Sequence, residues 1–379
     1  MEFRDLRKQY EYLKSQIDSN LQEVLNKSQY IMGSHVKELE KALAEYVGVK
    51  HCITCANGTD ALQLALMVWE VGEGDAVFVP DFTFFSSGEV VSAVGATPIF
   101  VDVNSDTYNI SLESLTKMVE KTVKEGKLIP KVIVAVDLFG QPAEYEEIKK
   151  LAGNYNMYVL EDAAQGFGGR IGDKKACAFG DISTTSFFPA KPLGCYGDGG
   201  AIFTDNNEWA EVLQSLRVHG KGKSKYDNIR IGMNSRLDTL QAAVLLAKLP
   251  VFVNEELEKC NKLADFYTQN LKGIVKTPVV KEGYFSSWAQ YTIRLENKEK
   301  RDGLQQYLKE NGIPTMVYYQ KPMHRQGAFE ESLYIDENFE NTNRLCETVL
   351  SLPFHPYMLE EDAKLVSNKI IDFWKNKQE

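Results

Sequence analysis

Nothing in this chain of 379 residues offers a membrane span, a disulfide framework or a polycationic surface. The longest apolar stretch, ALQLALMVW, falls far short of the roughly 20 residues that cross a bilayer. The start, MEFRDLRKQYEYLK, is charged and has no apolar run, so no signal peptide is expected. Asp and Glu (53) outnumber Lys and Arg (43), and the formal charge of −10 argues against a general nucleic-acid binder. Cysteines are few: Cys52, Cys55, Cys177, Cys195, Cys260 and Cys346. Cys52 and Cys55 form a C-x-x-C, but no second C-x-x-C or C-x-H pair follows to complete a tetrahedral zinc site, so no metal is expected. The pair lies in HCITCA, which reads as a buried strand where a thiol is a small apolar group. Scattered thiols without a framework suit a reducing cytoplasm. Internal repeats and low-complexity segments are also missing.

What is present is an ordinary soluble composition, 44% hydrophobic and 25% charged. The length predicts roughly two to three domain-sized units. HVKELEKALAEYV (35–47) has helical spacing. Apolar runs follow at 51–56, 75–80, 96–103, 131–139, 157–162, 181–188 and 200–204, most of them separated by helical patterns. Strands apolar throughout that alternate with helices imply an α/β fold with a mainly parallel seven-stranded sheet covered on both faces. The last two runs are joined by a loop, so one antiparallel strand is expected. Around Leu249-Pro250 the character changes. A long helix (254–273), a strand (289–297), a helix (300–312), a strand (314–319) and a final helix (360–374) read as a smaller C-terminal α/β unit. The expected division is a large domain, 1–250, and a small one, 251–379, with an N-terminal arm or helix over 1–30 packing on the small domain.

The chemistry concentrates in SFFPAKPLGCYGDGGAIF (186–203). Lys191 lies between two strand-like segments, followed by Pro192 and by Gly194, Gly197, Gly199 and Gly200. A lysine on such a turn is either a solvated loop residue or an amine placed to form an imine with an aldehyde cofactor; the glycines read as room for a flat ring. NGTDAL (57–62) opens a helix after a strand, where Gly58, Thr59 and Asp60 offer unpaired N–H groups to a phosphate. Simple helix capping by Asn57 or Thr59 explains it equally. In VLEDAAQGFGG (159–169), Asp162 ends a strand, where ligands of open parallel sheets bind. A carboxylate about 4 Å from a pyridine nitrogen would hold it protonated, by ~4 kcal/mol at an effective dielectric of about 20 before desolvation. Such a ring is an electron sink. Phe84, in PDFTFFSSGEVV (80–91), is a ring to stack on a flat cofactor or one of three core phenylalanines. Ser186 sits five residues before Lys191. IRIGMNSRLDTLQAA (229–243) gathers Arg230, Asn234, Arg236 and Asp238 ahead of a helix, as anion recognition or a helix start.

In this order and spacing the motifs NGTDAL, PDFTFF, EDAAQ, SFFPAKPLGCYGDGGAIF and GMNSRLDTLQAA resemble the DegT/DnrJ family, pyridoxal-phosphate-dependent sugar-nucleotide aminotransferases of fold type I. The resemblance runs from QYIMGSHVKELE (29–40) to LSLPFHPY (350–357). It implies that Lys191 is the Schiff-base lysine and proton shuttle. Asp162 would pair with the pyridinium nitrogen, Gln165 would lie on the ring-hydroxyl side and Phe84 would stack on the ring. Gly58, Thr59 and Ser186 would hold the phosphate. Asn234 would reach the cofactor phosphate of a neighbouring subunit, which makes the site a homodimer property. Arg230, Tyr318 and His324 are candidate substrate contacts. The basic run RVHGKGKSK (217–225) is either a solvated loop or a contact for the nucleotide diphosphate.

The implied reaction takes an amino group from L-glutamate, leaves 2-oxoglutarate, stores the amine as pyridoxamine phosphate and delivers it to C3 of a UDP-linked 3-keto sugar. The product is then UDP-2-acetamido-3-amino-2,3-dideoxyglucose, a precursor of amide-linked lipid A, or its C6-carboxylate counterpart of O-antigen pathways. The family commonly has V-H-Y-P where this chain has VYYQ, with Tyr318 in the histidine's place. Tyr226-Asp227-Asn228 also lacks basic residues. Both departures favour the neutral sugar, although Arg230 keeps a carboxylate contact open. Dehydratases of this fold replace the lysine with histidine, and Lys191 argues against them. A cofactor-binding regulatory protein is the non-enzyme alternative, against which the set Lys191, Asp162 and Thr59 argues.

Overall fold

The computed structural model describes residues 1–224, 226–330 and 338–375; Lys225, at the end of the basic run, lies outside them. The central sheet holds β1 (His51–Cys55), β2 (Asp75–Pro80), β3 (Thr97–Val101), β4 (Ile129–Val136), β5 (Tyr158–Asp162), β6 (Ile182–Ser186) and β7 (Gly200–Thr204). Their order is β1-β7-β6-β5-β4-β2-β3. From β6 to β3 all neighbours are parallel, and β7 runs antiparallel to both β6 and β1. The expected antiparallel strand is therefore β7, reached by the loop that carries Lys191.

Both faces are covered, which is why the strands are apolar throughout. Helices Ser34–Val47, Leu112–Glu125, Tyr145–Asn154 and Thr239–Val251 pack on one face, through Leu39, Leu115, Ile148 and Leu245. Helices Gly58–Val68, Ser86–Ala93 and Asn207–Leu216 pack on the other, through Leu64, Val91 and Leu213. Side chains alternate along each strand. Cys52 accordingly enters the first core and Cys55 the second. All six cysteines are buried and free. The C-x-x-C pair points to opposite faces of the sheet.

Pro250 does not end its helix. The chain continues through a wide turn, Phe252–Glu256, into helix Leu257–Leu271, so the expected boundary at 250 falls inside one helical run. A proline lacks the N–H of the regular ladder, and a single wide turn absorbs that defect. Phe252 and Leu257 still belong to the large core. Cys260, Ala264 and Tyr267 belong to the small one, with Tyr291, Leu304, Leu350 and Ile370. The small unit is built on β8 (Tyr291–Arg294) paired antiparallel with β9 (Val349–Leu352), and on helices Lys298–Glu310 and Glu360–Lys375. The strand expected at 314–319 shrinks to one bridge, Met316 with Ser351. Beyond it the chain leaves the sheet because the rings of Tyr318 and Tyr319 are drawn toward Phe3 and Phe82.

Helix Leu6–Lys27 packs chiefly on the helical run, through Leu13 and Ile17 against Val244 and Ala247. Its N-terminal part also meets the small unit: the Tyr12 ring lies 5.7 Å from that of Tyr357, and just before the helix Phe354 N–H donates to the Phe3 carbonyl at 3.1 Å. None of the helices among the described residues is long and apolar enough to cross a membrane.

Candidate active site

The site forms beyond the carboxyl ends of β5 and β6, the ligand position of an open parallel sheet. Asp162, the last residue of β5, is buried; Ser87 Oγ donates to its Oδ2 at 2.8 Å and Ala164 N–H to its Oδ1 at 3.1 Å. Burial raises its carboxyl above the usual range, opposed by those two donors and by the Lys191 charge. Burial lowers the Lys191 amine, Asp162 opposes that shift, and Arg4 adds to it. The buried acid and the half-buried amine are therefore close enough to act on each other's charge.

The Lys191 turn is closed by its own backbone. Phe187 N–H donates to Gly199 O (2.7 Å), Cys195 N–H to Phe187 O (2.8 Å) and Lys191 N–H to Phe188 O (2.9 Å). The glycines do not leave open room for a ring, as the sequence suggested. A Cβ on Gly194 would lie 2.5 Å from Pro189 O, and one on Gly200 would lie 2.4 Å from Asn57 O. These two are required because backbone passes backbone, while Gly197 and Gly199 are closed on by the side chains of Gln241 and Leu237.

Gly58 brings the helix start close against the end of β6: a Cβ there would sit 2.8 Å from the Ser186 Cβ. Asn57 caps the helix by accepting from Asp60 N–H at 2.8 Å. The first intrahelical bond runs from Ala61 N–H to Asn57 O at 3.1 Å, so the Gly58 and Thr59 N–H groups precede it. Thr59 Oγ1 lies 2.7 Å from Ser86 Oγ. Two N–H groups and two hydroxyls, with Ser186 Oγ beside them, suit a phosphate. Asp162, half satisfied and buried, suits a protonated ring nitrogen. These residues fit pyridoxal phosphate.

Gln165 Oε1 accepts from Phe139 N–H (2.8 Å), and its Nε2 donates to Tyr319 OH (3.0 Å). Phe84 is 53% exposed, a free ring face at the site's mouth, with its centroid 6.4 Å from that of Tyr319. Tyr318 is half-buried against Phe3. His324 is bound by Asp81, whose two carboxylate oxygens take its N–H (2.8 Å) and face its Nδ1 (2.6 Å), and it stacks on Phe339. These contacts commit the ring to joining Asp81, after β2, to Phe339. Arg230 and Asn234 lie exposed on a separate loop, bonded to Ser215 and Arg236. Arg230, with His219, Lys221 and Arg236, lines a groove of about 1160 Å³. Arg217, in the basic run, is buried and bonds the Thr54 carbonyl (2.7 Å) and Glu40, so it is structural.

Sequence reasoning missed Ser87, Tyr319 and Arg4. Ser87 was visible in the SSG that follows the aromatic cluster. Arg4 Nη2 donates to the Lys191 carbonyl at 2.8 Å, 187 positions away, and nothing local announces that contact.

The profile of the DegT/DnrJ/EryC1/StrS aminotransferase family matches residues 11–371, and the chain belongs to this family. It is accordingly a transaminase dependent on pyridoxal phosphate. It is 42% identical to the UDP-2-acetamido-2-deoxy-3-oxo-D-glucuronate aminotransferase of Pseudomonas aeruginosa, over 97% of this chain and 98% of that one. It is 41% identical to a pleiotropic regulatory protein of Geobacillus stearothermophilus, over 98% of each. It is 36% identical to a UDP-N-acetyl-3-dehydro-alpha-D-glucosamine 3-aminotransferase of Acidithiobacillus ferrooxidans, over 97% and 96%. The crystal structure of an aminotransferase of this family from Brucella abortus superposes with a TM-score of 0.96 at 47% identity, covering 98% of this chain and 99% of that one.

Proposed function

We propose that this enzyme moves an amino group from L-glutamate to C3 of a UDP-linked 3-keto-N-acetylhexosamine, in a homodimer whose subunits share their sites. The observation that carries the reading is the Lys191 amine within charge range of buried, half-satisfied Asp162, on a turn that follows β6, whose end packs on the Gly58–Thr59 helix start. Pyridoxal phosphate, when bound, supplies the electron sink and the amine carrier. Gly58, Thr59 and Ser186 hold the phosphate, Asp162 keeps the ring nitrogen protonated, and Phe84 covers one ring face. Lys191 Nζ, whose proton affinity burial lowers, takes the α-proton of glutamate and later returns a proton to sugar C3.

For the sugar, we favour the C6-carboxylate form. Four basic side chains line one groove, and the identity to the uronate enzyme (42%) exceeds that to the neutral-sugar enzyme (36%). The neutral sugar is the second reading, favoured by Tyr318 in the VYYQ segment. The amine-loaded enzyme is mixed with UDP-3-keto sugars with and without the carboxylate, and the return of the aldehyde form's absorbance is followed. Faster return with the carboxylate is the expected result; the reverse order selects the neutral sugar. Return with neither sugar overturns the reading. Borohydride reduction and peptide mapping should place the cofactor on Lys191. A protein that takes up no cofactor would instead fit the regulatory alternative.

A further inference from the structure

The backbone of the Lys191 turn is held by residues far from it in the chain. Arg4 donates to the carbonyl of Lys191 itself. Lys248, buried in helix Thr239–Val251, donates to the carbonyl of Gly194 and lies 4.8 Å from the centre of the Tyr196 ring. Gln241 of the same helix accepts from Tyr196 N–H at 2.8 Å. Arg4 and Pro192 also line a cavity of about 10 Å³ with Glu256, too small for more than a single water. Buried Glu256 accepts from Gln9 (2.9 Å) and from Tyr357 of the small unit (2.6 Å). The Phe3 ring meets Tyr318 edge-on at 6.3 Å. The segment from Phe3 to Gln9 therefore touches the reactive turn, the helical run and the small unit together.

We propose that Arg4 is a positioning residue for Lys191, a strap from the N-terminal segment that fixes the reactive lysine's own backbone. This rests on the reading of Lys191 given above. Holding the carbonyl fixes the direction in which the side chain leaves the turn, and so its reach toward Asp162. A guanidinium suits the task because it stays charged when buried and holds its donors in one plane. It is also a permanent cation acting on the amine, and so favours the neutral, nucleophilic form. The charged and titratable groups at the turn are Asp162 and Arg4, which act on Lys191 directly, and Lys248 with Glu256 on the helical run; Tyr318 acts on Arg4, and Cys195 lies within the turn.

The test needs no turnover. Cofactor-free protein is labelled at lysine with acetic anhydride across a pH series, and the Lys191 peptide is quantified by mass spectrometry. Arg4→Gln removes the charge and keeps donors; Arg4→Lys keeps the charge and loses the planar fork. With Arg4→Gln, labelling of Lys191 at neutral pH should slow several-fold and its pH midpoint should rise, because a cation that disfavoured protonation is gone. Arg4→Lys should restore the midpoint, while the rate of pyridoxal phosphate uptake stays below wild type. If both variants melt like wild type and label with its midpoint and rate, the strap has no part in positioning Lys191. If they melt lower with an unchanged midpoint, Arg4 is structural only, and the proposal is equally overturned. A wild-type protein that fails to take up pyridoxal phosphate would sink the functional reading while leaving the labelling comparison intact.

Discussion

Glu161 and Asp162 are neighbours on one strand, equally buried, and point to opposite faces of the sheet. Glu161 is saturated: it accepts from the N–H groups of Cys177 (2.5 Å), Phe179 (2.7 Å) and Gly180 (3.1 Å) and from Ser183 Oγ (2.7 Å). A carboxylate offers about four acceptor positions, and four donors reach this one, three of them at Oε2. Asp162 accepts from only Ser87 and Ala164. The first arrangement closes a structure, and the second leaves capacity for one more donor. The incompleteness of a buried acid, rather than its burial, marks the face where chemistry happens. Nearby Asp137 accepts at Oδ1 from Tyr145 OH (2.7 Å) and Ala143 N–H (3.0 Å), and burial with the Glu161 charge pushes its carboxyl well above the usual range.

The largest expected effects come from neutralising each acid. Asp162→Asn should fold normally and lose about a hundredfold or more in transamination, since the amide cannot hold a ring nitrogen protonated. Glu161→Gln should cost about 3 kcal/mol of stability, because an NH₂ group is forced against N–H donors. Its activity per folded molecule should stay near wild type. Activity assays and urea unfolding of the two variants check this. The contrast breaks if Asp162→Asn chiefly unfolds the protein or Glu161→Gln chiefly inactivates it.

A glycine on each face gives a smaller version. Gly58→Ala places a methyl 2.8 Å from Ser186 Cβ and so pushes the helix start and Ser186, the groups read as holding the phosphate, apart. Cofactor affinity should fall about tenfold, the equivalent of one lost hydrogen bond. Gly153, in helix Tyr145–Asn154, has open space where a Cβ would go. Gly153→Ala should stabilise by roughly 0.5–1 kcal/mol and leave cofactor binding unchanged. Equilibrium binding of pyridoxal phosphate and thermal melts separate the two.

Much of this was legible in the sequence. The sheet followed from apolar runs alternating with helical patterns, and β7 from the loop that precedes it. Asp162, Lys191 and the Gly58 turn stand in local motifs, where spacing alone places them at strand ends. What could not be read is long-range. Ser87 is 75 positions from Asp162, and Arg4 is 187 from Lys191, and partners so far apart leave no periodicity to detect. The glycines of the Lys191 turn were misread because a sequence cannot tell an open turn from one where backbone crosses backbone. Pro250 looked like a stop because a wide turn that rescues a helix has no signature of its own.

Lys248 carries the comparison to pH. Burial lowers its amine from 10.5 to about 8. The folded state therefore binds fewer protons than the unfolded chain between about pH 8 and 10.5, and this residue's contribution makes stability rise across that window. Below it, the buried ammonium opposes folding by about 3 kcal/mol at most. Lys248→Met should flatten the rise relative to wild type. Urea midpoints at the two ends of the window measure the difference, and parallel curves for the two proteins would refute it.

The smallest effects belong to the C-x-x-C pair, which samples both faces at once. Cys52 and Cys55 fill separate cores, so each change to Ala removes one sulfur's packing and should cost about 1 kcal/mol. With no shared cavity, the two costs should add to within about 0.5 kcal/mol in the double variant. Activity should stay within about twofold of wild type in all three, with or without reductant or chelator, because both thiols are buried and burial pushes both above their ordinary range. Strong coupling in the double variant would mean that the two sulfurs meet, which side chains on opposite faces of a strand cannot do. Sensitivity of activity to the chelator would mean that the pair, against its geometry, holds a metal.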